Sequence, residues 1–254
     1  MSKKPVGVQL WTLRKEIAAD LAGTLAKVAQ IGYAGVELWF PAWPEVAVLK
    51  AALADSGLRV AGAHVPFLDL RDRFAQVAAY HAEIGNRDLV IPFLPQELRN
   101  SDAAWQQRIV EIGEIAVLCR DAGFRLSYHN HAFEFTDRVG GQEAHDAIFA
   151  SVPTELLKAE LDTFFIRDVG KDPAAYIRRY AGRLPLLHLK EKAKPAAGTQ
   201  NAEVGDGVID WDAVFAAAEG AGVEWYLVEQ NCEAYPALQS IAMSLDFLRR
   251  RGVA

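Results

Sequence analysis

Residues able to do chemistry are concentrated at the ends of four apolar runs. The stretch Leu126-Ser127-Tyr128-His129-Asn130-His131-Ala132-Phe133-Glu134-Phe135 leads from apolar residues into two imidazoles, an amide and a carboxylate. Residues 156–162 end in Asp162, residues 184–190 contain His188 and end in Lys190, and residues 225–230 close on Glu229 and Gln230. An ionised carboxylate at the end of a buried run costs several kcal/mol unless it is paired or metal-bound. Asp162 and Glu229, with Glu134 as a third acid beside His188, would repel one another in a common mouth, and one divalent cation removes that repulsion. The competing structural reading is ion pairing with Lys190, Lys158 or Arg167. Oxygen-rich ligands with an imidazole suit manganese, magnesium, cobalt or zinc.

Such residues must be brought together by the elements that carry them. Val6 to Trp11 reads as a first β-prone run, and Asp20 caps a helix over 21–31 that Gly32 ends. Gly35 to Trp39 is the second strand, followed by a helix over 46–56 and Gly57. Arg59 to Val65 is the third, followed by a helix over 70–84 and Gly85. Asp88 to Phe93 is the fourth, and Ser101-Asp102 opens a long helix that Gly123 stops. Arg125 to His131 is the fifth strand, with a shorter helix over 143–151. Residues 157–162 form the sixth strand, and Asp172-Pro173 starts its helix. Residues 184–190 form the seventh, with a long loop over 191–209 and a helix capped by Asp210. Residues 225–230 form the eighth strand, and a helix over 235–251 closes the chain.

Eight alternations of strand and helix argue a parallel sheet covered by helices. Strands without clean alternation imply burial on both faces. The 254 residues match one closed eight-fold α/β barrel, so residues 1–254 read as a single domain. No Gly-x-Gly-x-x-Gly loop follows the first strand, which removes support for an open dinucleotide fold.

Composition bounds the partners. With 27 Lys and Arg against 33 Asp and Glu, the net charge is -6, which speaks against nucleic acid. Cys119 and Cys232 cannot form a disulfide framework, and free thiols suit a reducing cytoplasm. The basic start, Met1-Ser2-Lys3-Lys4-Pro5, has no long apolar core behind it, so neither a signal peptide nor a membrane span is expected.

In a closed barrel the active site lies at the carboxyl ends of the strands. Those ends give Trp11, Glu37 with Trp39, His64, Phe93, the cluster from His129 to Glu134, Asp162, His188 with Lys190, and Glu229. Trp11 and Trp39 are expected to form apolar walls of the mouth. Glu37 divides between pocket residue and salt bridge, and His64 between substrate contact and structural histidine. Cys232 reads as a small hydrophobe near the mouth, and Cys119 as helix packing.

In this order the residues resemble a family. Gln9-Leu10-Trp11-Thr12-Leu13-Arg14, Gly35-Val36-Glu37-Leu38, Tyr128-His129-Asn130-His131 with Phe133-Glu134-Phe135, Leu161-Asp162, His188-Leu189-Lys190-Glu191, Val204-Gly205-Asp206-Gly207 with Ile209-Asp210-Trp211, and Val228-Glu229-Gln230 are together similar to the xylose isomerase-like TIM-barrel superfamily, in its sugar phosphate isomerase/epimerase branch. The resemblance spans the whole chain and is specific to the superfamily, not to a substrate.

The resemblance implies a single (β/α)8 TIM barrel and one divalent metal held by Glu134, Asp162, His188 and Glu229. His129 or His131 is the alternative for the first ligand. It implies isomerisation or epimerisation of a keto- or aldo-sugar by proton transfer through an enediolate, with Glu134 and Glu229 as acid and base. His131 and Lys190 would donate protons or anchor hydroxyls. Trp11, Glu37, His64, Phe93 and His129 would bind substrate. Loss of a leaving group from the same intermediate gives dehydration or elimination, on a keto-cyclitol or a 3-keto-glycoside. Gly205-Asp206-Gly207 is expected as a flap over the site. With no Gly-rich phosphate loop, a neutral sugar or cyclitol is the expected substrate, although Arg14 and Lys190 offer phosphate contacts. Relatives often form dimers or tetramers, and the Pro-rich loop near Trp43 offers an interface for a homo-oligomer. The competing classes are an abasic-site endonuclease, which needs more His ligands and a basic groove, and a sugar-binding barrel without turnover.

Overall fold

In the computed structural model, which describes residues 3–254, eight parallel strands close into a barrel. Met1 and Ser2, part of the basic start read above, lie outside the described residues. The strands are β1 (Val6–Gln9), β2 (Gly35–Leu38), β3 (Arg59–His64), β4 (Asp88–Ile91), β5 (Arg125–His129), β6 (Leu157–Asp162), β7 (Leu186–Leu189) and β8 (Trp225–Val228). Each pairs with its neighbours in chain order, and β1 closes on β8 with Val6 opposite Tyr226. Among the described residues, no helix is long and apolar enough to cross a membrane.

Local signals set the helix boundaries. The Asp20, Ser101, Asp172 and Asp210 side chains accept from the backbone amides of Gly23, Ala104, Ala174 and Ala213, satisfying donors that a helix start leaves free. Gly32 ends the helix Leu21–Ile31 at φ +105°, a left-handed conformation that suits glycine. Three expectations need adjustment. The first strand stops at Gln9, because the Gln9 side chain accepts from the Trp11 amide at 3.1 Å and turns residues 10–13 into a 3-10 helix. The expected helix over 70–84 is two pieces, Phe67–Asp72 and Phe74–Glu83, broken where Arg73 leaves helical geometry at φ -134°. The long loop after β7 contains an antiparallel ribbon pairing Glu191–Lys192 with Asn201–Ala202.

Most of the apolar core lies between barrel and helices, where Leu126, Leu157, Leu161 and Leu189 pack outward. Inside, a small cluster of Ala61, Val90, Leu186 and Leu227 fills the floor. The positions above the floor are polar. Residues two apart share a face of a strand, so Glu160 and Asp162, and His188 and Lys190, point into the barrel in successive layers, with Gln9 beside them. Contacts between strands that are not neighbours, such as His188 Nε2 to Glu37 Oε2 at 2.7 Å, confirm that these side chains meet in the interior. Gly62 leaves the necessary space, since a Cβ there would sit 3.3 Å from Glu37 Oε1.

Two further histidines belong to the helical layer. His145 packs among Phe135, Phe149 and Tyr180. His81 packs against Trp43 and Tyr80, with Nδ1 3.2 Å from Asn86 Nδ2. Burial holds the His81 pKa down to about 4. In the unfolded chain it titrates near ~6.5. Its folded pKa is therefore depressed, and the stability it contributes is complete above about 6.5 and lost as pH falls toward about 4. The expected loss by pH 5 is about 2 kcal/mol. Urea unfolding at pH 7.5 and at pH 5 should show the wild type losing that much more than His81→Gln; equal losses would remove His81 from the account.

Candidate metal centre and active-site mouth

The interior cluster has two levels that share two imidazoles. In the lower level, Glu160 Oε2 lies 2.7 Å from His64 Nε2, 2.9 Å from His129 Nδ1 and 3.3 Å from His188 Nε2. Glu37 Oε2 lies 2.6 Å from Gln9 Nε2, 2.7 Å from His188 Nε2 and 3.3 Å from His64 Nε2. In the upper level, His188 Nδ1 lies 3.2 Å from Glu229 Oε2, and His129 Nε2 3.9 Å from Asp162 Oδ2. Glu229 Oε1 accepts from Lys190 Nζ at 2.5 Å.

Both levels have the residue types of a metal site. Ligand atoms of His64, His129, Glu160 and His188 fall within 4.8 Å of one another, and so do those of His129, Asp162, His188 and Glu229. The nitrogens separate them. In the lower level, His64 Nε2, His129 Nδ1 and His188 Nε2 each already face a carboxylate at hydrogen-bond distance, although Glu37 Oε1 and Glu160 Oε1 are buried without a partner. In the upper level, both an oxygen, Asp162 Oδ2, and an imidazole nitrogen, His188 Nδ1, are buried with no hydrogen-bond partner. Buried polar atoms normally find partners, and an unpartnered oxygen and an unpartnered nitrogen within 4.8 Å of one another are what a cation between them would satisfy. The residues present therefore fit a divalent ion at the upper level, with two carboxylates and two imidazoles as donors.

Charge in the cluster follows from burial and crowding. Burial raises the Asp162 pKa to about 7 against the pull of Lys190, with Glu229 adding to the rise. Burial and then the Glu160 charge push Glu37 to about 7. Burial opposes ionisation of Glu160 too, but the surrounding His188 and His64 hold it well below the usual range. Burial also opposes charge on His188, yet Glu160 and Glu37 raise its pKa well above the ordinary value. Like charges close together cannot all persist without compensation.

The expected first ligand is placed elsewhere. After His131 the chain turns into the short helix Phe133–Thr136, which swings Glu134 away from the cluster. Its Oε1 accepts from the Tyr128 hydroxyl at 3.0 Å and its Oε2 from the His131 amide at 2.7 Å. Burial raises its pKa to about 8. Glu134 thus braces the end of β5, and neither set of candidate ligands includes it; His129 takes the fourth place beside Asp162, His188 and Glu229. The same geometry moves Glu37 and His129 from the expected substrate surface to the buried interior, where their partners are other side chains.

Above the cluster opens a cavity of about 580 Å³. Trp11 and Trp39 meet edge to face at 4.8 Å on one side, and Leu68 and Phe93 stand 39% and 45% exposed on another. His64, His131, Lys190, Glu229 and Asn231 supply the polar lining. This volume is in the range of ordinary small-molecule sites. Lys190 is the sole lysine or arginine among the described lining residues. Arg14 lies over the Trp11 ring at 4.1 Å and donates to the Trp11 carbonyl, so it braces the wall.

The expected flap is pinned. Glu191, the residue after Lys190, accepts from the amides of Gly205, Val208 and Ile209 and from Trp211 Nε1. Gly207 passes so close that a Cβ would collide with the Lys192 carbonyl and the Glu191 carboxylate. Glu160 and Glu191, two organising carboxylates, were not singled out from the sequence. For Glu160 the signal was present, since it stands two residues before Asp162 on the same face of the strand.

A closed eight-stranded α/β barrel with an acidic and imidazole cluster at the carboxyl ends of its strands defines the class. The chain belongs to the xylose isomerase-like TIM barrel family, whose model matches residues 25–251. The inosose dehydratase of Clostridium beijerinckii is 23% identical over 253 residues, covering 84% of this chain and 82% of that protein. A sugar phosphate isomerase/epimerase from Parabacteroides distasonis superposes with a TM-score of 0.83 at 20% identity, covering 98% of this chain and 94% of that one. A D-allulose 3-epimerase from Methylomonas sp. in complex with D-allulose superposes with a TM-score of 0.76 at 16% identity, covering 98% of each chain. At these identities the two structures show likeness of fold.

Proposed function

We propose that the chain is a divalent-metal-dependent enzyme that removes a proton beside the carbonyl of a neutral keto-sugar or keto-cyclitol, and that elimination is its principal reaction. The observation that carries this reading is the unlike character of the two proton-handling groups at the mouth. His131 has a buried Nδ1 without a partner, and burial, then His129, hold its pKa well below the ordinary value. It is a neutral imidazole able to accept a proton. Lys190 is opposed by burial, but Glu229 and Asp162 raise its pKa and keep it an ammonium able to give one. A two-carboxylate exchange between opposite faces, the arrangement expected for epimerisation, loses Glu134 as a member.

His129, Asp162, His188 and Glu229 would hold the metal, which when bound supplies Lewis-acid stabilisation of negative charge next to the reacting carbon. His131 takes the proton from the carbon beside the carbonyl. The electron pair forms a carbon–carbon double bond as the neighbouring carbon–oxygen bond breaks. Lys190 gives its proton to the departing oxygen, and proton return from His131 through solvent resets the pair. Trp11, Trp39 and Phe93 exclude water and pack on the apolar face of the ring. The lone, carboxylate-paired lysine at the mouth favours an uncharged substrate over a phosphate ester.

Epimerisation is the second reading, supported by the likeness of fold to the D-allulose 3-epimerase. Incubation of metal-loaded protein with keto-inositols and ketohexoses in heavy water separates the two by NMR and ultraviolet absorbance. Elimination gives a conjugated product without a stereoisomer of the substrate. An epimer carrying one deuterium at the inverted carbon would move the assignment to the epimerase, and neither conjugated product nor deuterium incorporation with either substrate class would sink both.

A further inference from the structure

We propose that Glu160 is a positioning residue that sets the tautomer of His129 and, with Glu37, fixes which nitrogen of His188 keeps its hydrogen, so that His129 Nε2 and His188 Nδ1 are the nitrogens offered to an ion beside Asp162 and Glu229. The inference rests on the metal reading of the upper level. Glu160 lies one layer below Asp162 on the same strand face, fully buried, and does not line the mouth. An ionised carboxylate only accepts hydrogen bonds. A nitrogen held against one must therefore carry the hydrogen.

His129 Nδ1 lies 2.9 Å from Glu160 Oε2, so the hydrogen sits on Nδ1 and Nε2, on the Asp162 side, is left bare. His188 is held the other way round. Its Nε2 lies 2.7 Å from Glu37 Oε2 and 3.3 Å from Glu160 Oε2, so Nε2 keeps its hydrogen and Nδ1, on the Glu229 side, is the nitrogen whose proton an arriving ion would displace. Gln9 Nε2 donates to Glu37 Oε2 at 2.6 Å and fixes that carboxylate in turn. The two histidines, on the strands that flank the Glu160 strand, therefore present opposite nitrogens to the upper level. Partners behind a metal-binding imidazole govern both its orientation and its basicity.

An amide at position 160 can turn either its oxygen or its NH2 group toward the ring, so it no longer dictates the tautomer. The test reads His129 directly, by long-range proton–nitrogen NMR of 15N-histidine protein in the metal-free state at neutral pH. Hydrogen on Nδ1 and a bare Nε2 is the expected pattern; hydrogen on Nε2, or on both nitrogens, overturns the proposal without any variant. In Glu160→Gln, mixed or inverted His129 tautomers and a loss of roughly 10- to 100-fold in Mn²⁺ affinity are expected, while Glu160→Asp keeps the wild-type tautomer. Unchanged tautomer and affinity in Glu160→Gln would also overturn it. Failure of the wild type to bind any divalent ion is a separate result, which removes the proposed function and leaves the tautomer measurement readable.

Discussion

Asp162→Asn is expected to abolish divalent-ion binding and lower turnover by about a thousandfold or more, with little change in the stability of the metal-free chain. The two oxygens of Asp162 have separate tasks. Oδ1 accepts from the amides of Phe164 at 2.7 Å and Phe165 at 3.3 Å, capping the short helix Thr163–Asp168. Oδ2 has no partner and faces His129. Asparagine keeps the capping oxygen and replaces the ligating one with an NH2 group. Alanine removes both and should cost about a further 1 kcal/mol through the lost cap. Metal analysis should find one equivalent in the wild type and none in either variant, and the melting temperatures of the metal-free proteins should separate Asn from Ala. Asp162→Asn that retains a full equivalent of ion would place the metal elsewhere.

Lys190→Met should be the most destabilising single change at the mouth. Lys190 and Glu229 are 3% and 6% exposed and joined at 2.5 Å. Methionine fills the volume but leaves the Glu229 carboxylate buried beside Asp162 without its cation. Removing one member of a buried ion pair costs about 3–5 kcal/mol. Lys190→Met/Glu229→Gln removes the stranded charge and should recover most of that loss. Turnover should fall about 100- to 10,000-fold in the single variant, since the proton donor is gone, and further in the double variant, which also loses a proposed metal ligand. Chemical denaturation of the metal-free proteins tests the first part, and a single variant as stable as the wild type would show that the pair contributes nothing net.

The barrel was legible because its signals are local. Caps such as Asp20 and Asp210 and a terminator such as Gly32 act within one helical turn, and the structure uses each as expected. Asp162, His188 and Glu229 were legible because charged side chains ending apolar runs need a reason to be there. Glu160 was hidden by reading residues 156–162 as buried alike on both faces. The strand in fact alternates, with Leu157, Ala159 and Leu161 toward the helices and Glu160 and Asp162 toward the interior. Glu134 was misplaced because the turn after His131 depends on where the strand ends in space, which residue spacing does not encode. Glu191 was unreadable for a related reason: its partners lie 14 to 20 residues later, in a loop without periodicity and at the first residue of the helix beyond it.

The mouth is asymmetric around its axis. Its apolar wall comes chiefly from segments following β1 to β4, including Trp11, Trp39, Leu68 and Phe93, while His131, Lys190 and Glu229 follow β5, β7 and β8. Loop grafting or directed evolution confined to the first half of the chain could therefore retune which ring the protein accepts while sparing the proton-handling groups. Divergence within a lineage has the same freedom, with selectivity drifting on one side of the ring and reactivity inherited on the other.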